Sequence, residues 1–324
     1  MKPRMNVYIT TAKRAYRYAY PVILSLFENN TDSEVFLYIV SENLTYEDIP
    51  DELELAEKYD DHIVILPFDE NKAKDSIKVG DAEHWPVGTL GCYWMFHELL
   101  PDDVDRILAI ESDAIVIGSL REFYDTDLEG NYAACPDPEH KPVAHQDLMK
   151  KLNGDLLTFV VSLYDVKAIK RDFSIEAMLE ADRKGAAELG HSQQELTFGI
   201  LFKDRIKFVD APGICVEENS HSLERFGFDY LKECEKTEKI IHFSSTGAKE
   251  KPWNTVYLMP GYFTWWEYAK KSPYMDYYIE QQKEFRDKTE EYPRMLRRKL
   301  INRNRLVIAM GVIILILIGI IIFV

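Results

Sequence analysis

Short apolar runs rich in β-branched residues alternate with segments of helical period along the first 110 residues, and few folds accommodate that alternation. The strand-like runs are Met5–Thr10, Val35–Val40, His62–Leu66 and Arg106–Ile110. Between them, Tyr16–Glu28, Asp51–Tyr59 and Thr89–Leu100 carry apolar residues at helical spacing. Strands separated by helices predict parallel βαβ units and an α/β fold. Ligands on such sheets bind outside the carboxyl ends of the strands, so residues just after each strand are the first candidates for function.

One such junction is acidic. Arg106–Ile110 ends in Glu111-Ser112-Asp113 before a second apolar run, Ala114–Ile117. Acids at i and i+2 of an extended chain face the same side. Hard oxygen donors presented this way suit Mn²⁺ or Mg²⁺, a cation able to bridge two phosphates and to stabilise charge on a departing nucleoside diphosphate. The alternative is that the acids only cap or solvate the strand end. A later run, Ile240-Ile-His242-Phe243, is followed by Gly247, Lys251, Pro252 and Trp253. His242 is a candidate to complete the coordination and Lys251 to meet a diphosphate as a point charge; a hydrogen-bonded structural histidine is the alternative.

Charge narrows the partners. The formal charge is −16, yet six of the 39 Lys and Arg residues follow Pro293 whereas all 55 Asp and Glu precede it, so the body is more acidic than the whole. A body of that sign repels phosphate backbones, which argues against nucleic acid. It also requires a diphosphate ligand to arrive with a divalent cation. Cys92, Cys135, Cys215 and Cys234 are scattered and form no CxxC pair, so neither a zinc site nor a disulfide framework is predicted, and a reducing, cytoplasmic setting fits. Walker A, GxGxxG, GxSxG and HExxH patterns are all lacking, which disfavours kinase-type ATPases, dinucleotide enzymes, serine hydrolases and metalloproteases.

The C-terminal 19 residues, Leu306–Val324, contain no charge. As a helix they reach roughly 28 Å at about 1.5 Å per residue, the thickness of a hydrocarbon core. The run predicts a transmembrane helix, and the basic cluster on its N-terminal side places the body in the cytoplasm, as a single-pass C-terminal anchor at the cytoplasmic face of the cell membrane. No apolar signal-peptide core precedes the first strand. The expected organisation is a catalytic domain over 1–260, an aromatic and basic juxtamembrane helical region over 261–305, and the span over 306–324. Trp265, Trp266, Tyr274, Tyr277 and Tyr278 lie at the membrane interface in one reading and pack against the domain in the other.

With these pieces in place, residues 5–255 resemble glycosyltransferase family 8, the retaining enzymes related to lipopolysaccharide galactosyl- and glucosyltransferases. Leu99-Leu-Pro101, Val104–Ile110, Glu111-Ser-Asp113 and Ala114–Leu120 look like that family's block of LP, apolar strand, DxD motif, apolar run and G-x-L. His242 through Trp253 looks like its HxxGxxKPW-type motif with a longer gap. The resemblance implies a Rossmann-like GT-A fold and a nucleotide-sugar donor, with a glycan or glycolipid as acceptor. It implies Glu111, Asp113 and His242 as metal ligands and Gln193 beneath the anomeric carbon. Thr10, Thr11, Tyr16, Ser112, Thr158, Gln194, Gly247 and Lys251 are implied as donor contacts, with Tyr16 stacking on the base. Lys13, Met95, Thr158, Ser192 and Gln194 depart from the family pattern, where Asp, Arg, Asn, Asp and Asp are usual. Such losses admit two expectations, an active transferase of altered donor preference or a membrane-tethered, non-catalytic pseudoglycosyltransferase that binds a sugar nucleotide or a partner enzyme.

Overall fold

The computed structural model describes residues 2–69, 71–74, 90–137, 143–155, 157, 161–210, 213–244, 251–254 and 259–286. Seven strands form the larger sheet, in the order β3-β2-β1-β4-β7-β6-β8. They are β1 (Arg4–Thr10), β2 (Glu34–Ser41), β3 (His62–Pro67), β4 (Arg106–Ile110), β6 (Ala133–Pro136), β7 (Val161–Asp165) and β8 (Ile206–Val209). The first four are parallel, as the alternation of strands and helices predicts. β7 is not; it runs antiparallel to both β4 and β6. Its side-chain period is the same either way, so direction had to come from connectivity.

Alternation within the strands divides the core. Val7, Ile9, Leu37, Ile39, Leu108 and Ile110 pack on one face with helix Tyr20–Asn29. Tyr8, Tyr38, Val40, Ile107 and Ala109 point to the other, where Tyr93, Phe96, Met178, Phe198 and Phe202 cover them. A sheet buried on both faces explains why its strands read as near-continuous apolar runs. The segment expected as one helix over 89–100 is instead a short helical turn, Cys92–Trp94, running into a π-helical turn, Met95–Leu99. Met95, where the resemblance expects arginine, is fully buried in this second core.

A smaller sheet sits at the end of the domain that matters for function: β5 (Ala114–Val116), β10 (Ile240–His242) and β9 (Cys215–Glu217). β10 lies between the others, antiparallel to β5 and parallel to β9. β5 is tied to helix Tyr20–Asn29, because the Val116 amide donates to Ser25 Oγ (3.0 Å) and Asn29 Nδ2 donates to the Val116 carbonyl (3.0 Å).

The described residues fall into two compact units. The first, Met1–Pro252 with Tyr257–Met275, holds both sheets and helix Pro260–Ala269. That helix buries Trp265 completely, and its Tyr268 hydroxyl accepts from Asn29 Nδ2 at 2.8 Å. Tyr274 meets Tyr16 and Tyr20 edge-on. For Trp265 and Tyr274 the packing reading therefore holds. In the second unit, residues 276–286 are helical and the Tyr277 and Tyr278 rings lie 6.1 Å apart. The predicted span, 306–324, lies outside the described residues; among those described, no helix is long and apolar enough to cross a membrane.

Candidate active site

β4 leaves the large sheet at Ile110, and after three intervening residues β5 begins the small one. Glu111, Ser112 and Asp113 are therefore the corner between two sheets, at the carboxyl end of β4 and beside that of β1, which carries Thr10. The register of the small sheet sets His242 opposite Ala114, and the Phe243 amide donates to the Asp113 carbonyl at 3.1 Å. Residues 111, 113 and 242, remote in sequence, meet because β10 pairs with β5.

Their side chains converge. His242 Nε2 lies 2.6 Å from Glu111 Oε2 and 3.4 Å from Asp113 Oδ1, and one potential ligand atom of each residue lies within 4.8 Å of the others. The imidazole is buried, while the two carboxylates keep partial access to solvent. Burial alone lowers the pKa of His242, but the negative charges of Glu111 and Asp113 outweigh it and push it up to about 10. Burial acts to raise Asp113, yet Lys251 and His242 hold its carboxyl well below the usual range. Two carboxylate oxygens and an imidazole, mutually close and accessible from one side, fit a hard to borderline divalent cation.

Lys251, expected as a diphosphate contact, lies beside the acidic corner. Its ammonium bonds Asp113 and also donates to the Phe243 carbonyl at 2.6 Å. The ammonium thus neutralises the same carboxylate that a bound cation needs. Lys13, expected as an acid from the resemblance, pairs with Asp48 at 2.7 Å; Asp48 also accepts from Thr45 in a capping box. Thr11 is buried after β1, its amide donating to the Val40 carbonyl at 3.2 Å. Tyr16 opens a 3-10 turn and stands edge-on to Tyr274, their hydroxyls 3.5 Å apart. Thr158 and Gly247 lie outside the described residues.

Gln193 immediately precedes helix Gln194–Leu201, which packs on the same face of the sheet as Tyr8 and Ala109. Its Nε2 donates to Glu195 at 3.1 Å, whereas its Oε1 is buried with no hydrogen-bond partner among the described residues. Gln194 turns inward, its Nε2 2.9 Å from Cys92 Sγ. Burial, with Tyr164 and then Cys92 and Glu111 adding to it, raises the Tyr8 phenol. The carboxylate of Asp182 also serves this loop, and no sequence motif marks it: Asp182 lies in the charged stretch ADRKG of helix Ile175–Leu189. Only its depth in the fold distinguishes it from its solvated neighbours.

Backbone contact fixes the helix. An added Cβ on Gly199 falls 2.1 Å from the Asp155 carbonyl oxygen and 2.5 Å from Met149 Cε. Gly199→Ala is expected to cost about 2 kcal/mol or more of stability through overpacking. Urea unfolding of the variant checks this, and an unchanged midpoint would show that the contact relaxes freely.

An α/β domain that gathers a candidate cation site at the carboxyl edge of its sheet is the kind that holds a phosphorylated ligand there. Comparison with known proteins narrows that class. The model of glycosyl transferase family 8 matches residues 6–256, and the chain belongs to that family. Glycosyltransferase GlyF of Streptococcus pneumoniae serotype 4 is 25% identical over 182 residues, 54% of this chain; the match spans only 41% of that relative's length. Among solved structures, the galactosyltransferase LgtC in complex with donor and acceptor sugar analogues superposes with a TM-score of 0.66 at 14% identity, covering 83% of this chain and 96% of LgtC. Glycosyltransferase GlyE of S. pneumoniae TIGR4 gives 0.61 at 18% identity, over 82% and 60%. The shared architecture is the GT-A-like fold.

Proposed function

We propose that the protein transfers a hexose from a nucleotide-diphosphate sugar, a UDP-sugar, to a glycan or lipid-linked acceptor with retention of configuration. The observation that carries this reading is the convergence of Glu111, Asp113 and His242 at the strand-end edge where α/β domains bind ligands. Those three residues would hold Mn²⁺ or Mg²⁺, which supplies Lewis-acid stabilisation of the charge on the leaving diphosphate. Glu111, longer than the usual aspartate, reaches His242 and still belongs to the triad. Gln193 is assigned beneath the anomeric carbon, where an amide oxygen without a competing donor stabilises positive character at the sugar. Lys251 is assigned, by the family resemblance, to meet the diphosphate once its pairing with Asp113 is released. The donor contacts assigned to Thr10, Thr11, Tyr16, Ser112, Thr158, Gln194 and Gly247 rest on the family resemblance.

The acceptor class rests on sequence alone: the apolar run 306–324 and its basic collar support an anchor at the cytoplasmic face, where tethering raises the effective concentration of lipid-borne substrates. The ion pair between Lys251 and Asp113 favours a second reading, a pseudoenzyme that binds a sugar nucleotide or a partner enzyme without turnover. Calorimetric titration of the protein with nucleotide diphosphates and nucleotide sugars, with and without Mn²⁺, separates the two when paired with a turnover assay. Manganese-dependent binding with release of free nucleoside diphosphate supports the transferase. Saturable binding without turnover supports the pseudoenzyme.

A further inference from the structure

The loop before helix Gln194–Leu201 lacks the acid that the family pattern places at position 192, yet a carboxylate stands beside it. Asp182, 1% exposed, approaches from helix Ile175–Leu189. Gly190 ends that helix at φ 91°, a left-handed turn that brings Ser192 back toward it. Ser192 Oγ donates to Asp182 Oδ2 at 2.5 Å. Tyr93 donates to Asp182 Oδ1 at 2.8 Å, and Thr197 Oγ1 lies 3.2 Å from the same oxygen. Thr197 completes the circuit, since its backbone amide and its hydroxyl each lie 3.1 Å from the Gln193 carbonyl.

We propose that Asp182 is the positioning residue of the transfer site, holding Ser192 and, through Thr197, the backbone of Gln193 so that the Gln193 amide oxygen faces the donor sugar. This rests on the transferase reading. The carboxylate receives hydroxyl donors, and burial raises its pKa against the hydrogen bonds and the Arg183 charge that lower it. A buried acid held only by hydroxyls contributes little to stability compared with a neutral isostere. Its geometric effect is specific: Ser192 and Tyr93 each turn a proton toward the carboxylate, which leaves the single Thr197 hydroxyl proton for the Gln193 carbonyl. The negative group missing from the loop is in effect supplied from a neighbouring helix.

The test uses full-length Asp182→Asn, Ser192→Ala and the double variant, with the parent as reference. Each single change is expected to lower kcat about 30-fold while the donor KM stays within about threefold. The double variant should lose no more than the worse single, since both break one link. In donor-free protein, amide hydrogen exchange over residues 190–201 should quicken in both singles, with the thermal midpoint little changed. An unchanged kcat in an active background, additive losses, or unaltered exchange overturns the proposal. If the parent turns over no nucleotide sugar, the transferase reading fails instead, and the exchange measurement alone decides whether Asp182 fixes the loop. Should Asp182→Asn not fold, Ser192→Ala, which deletes one hydroxyl, carries both measurements.

Discussion

Asp113→Asn should lower the rate of donor turnover on the order of a thousandfold at saturating Mn²⁺, since a lost Lewis-acid contact is worth several kcal/mol of transition-state stabilisation. The substitution keeps the side chain's volume, and the backbone bond from Phe243 to the residue-113 carbonyl does not depend on the charge. What it removes is the anionic partner shared by His242 and Lys251, leaving Glu111 as the remaining acid of the triad. Manganese affinity should fall with the rate, and circular dichroism should show the fold intact. A variant retaining full activity would remove Asp113 from the mechanism, whatever the family match implies.

The second large effect is on stability and comes from Glu218, which follows β9. It is fully buried; its Oε2 accepts from the Gly261 amide at 2.8 Å, and its Oε1 has no partner among the described residues. Burial, with a further push from Glu235 against the Gly261 bond, raises its pKa to about 8. In the unfolded chain the group ionises near the ordinary glutamate value of 4.5. Between these values the folded protein keeps a proton that the unfolded chain releases, so stability falls as pH rises through the window and the loss is complete above about pH 8. At about 1.4 kcal/mol per pH unit the full effect approaches 5 kcal/mol. Glu52 and Asp61, raised by burial to about 7 and about 6, act in the same direction. Glu218→Gln keeps an acceptor for Gly261 and removes the ionisation. Its advantage over the parent should be nil near pH 4.5 and grow to a few kcal/mol at pH 8.5. Urea unfolding at pH 5 and pH 8.5 measures this, and parallel shifts at both values would mean that Glu218 ionises normally.

Much of this site was legible before any coordinates. Arg106–Ile110 is a strand in both views because the uninterrupted apolar run between Arg106 and Glu111 has few alternatives. Glu111 and Asp113 read as a pair and His242 as the residue to complete their coordination, and the β5–β10 register brings the three together. The direction of β7 was not legible, since hydrophobic period carries no polarity. Nor was the contact of Lys251 with Asp113, because spacing says nothing of which anion an ammonium chooses. Asp182 was hidden for a different reason: a lone acid between Ala181 and Arg183 on an amphipathic helix reads as surface, and only the turn at Gly190 brings Ser192 onto it. Helix Pro260–Ala269 mixes aromatic and charged residues, and that mixture suits a membrane interface and a domain edge equally well.

The order in which the strands leave the ribosome bears on when the protein acquires its chemistry. Every strand of the large sheet has been synthesised by Val209, whereas β9 and β10 follow from Cys215 to His242. The scaffold can therefore assemble on the nascent chain while Glu111 and Asp113 still lack their imidazole. The candidate cation site is complete only with the three-residue strand β10 between β5 and β9.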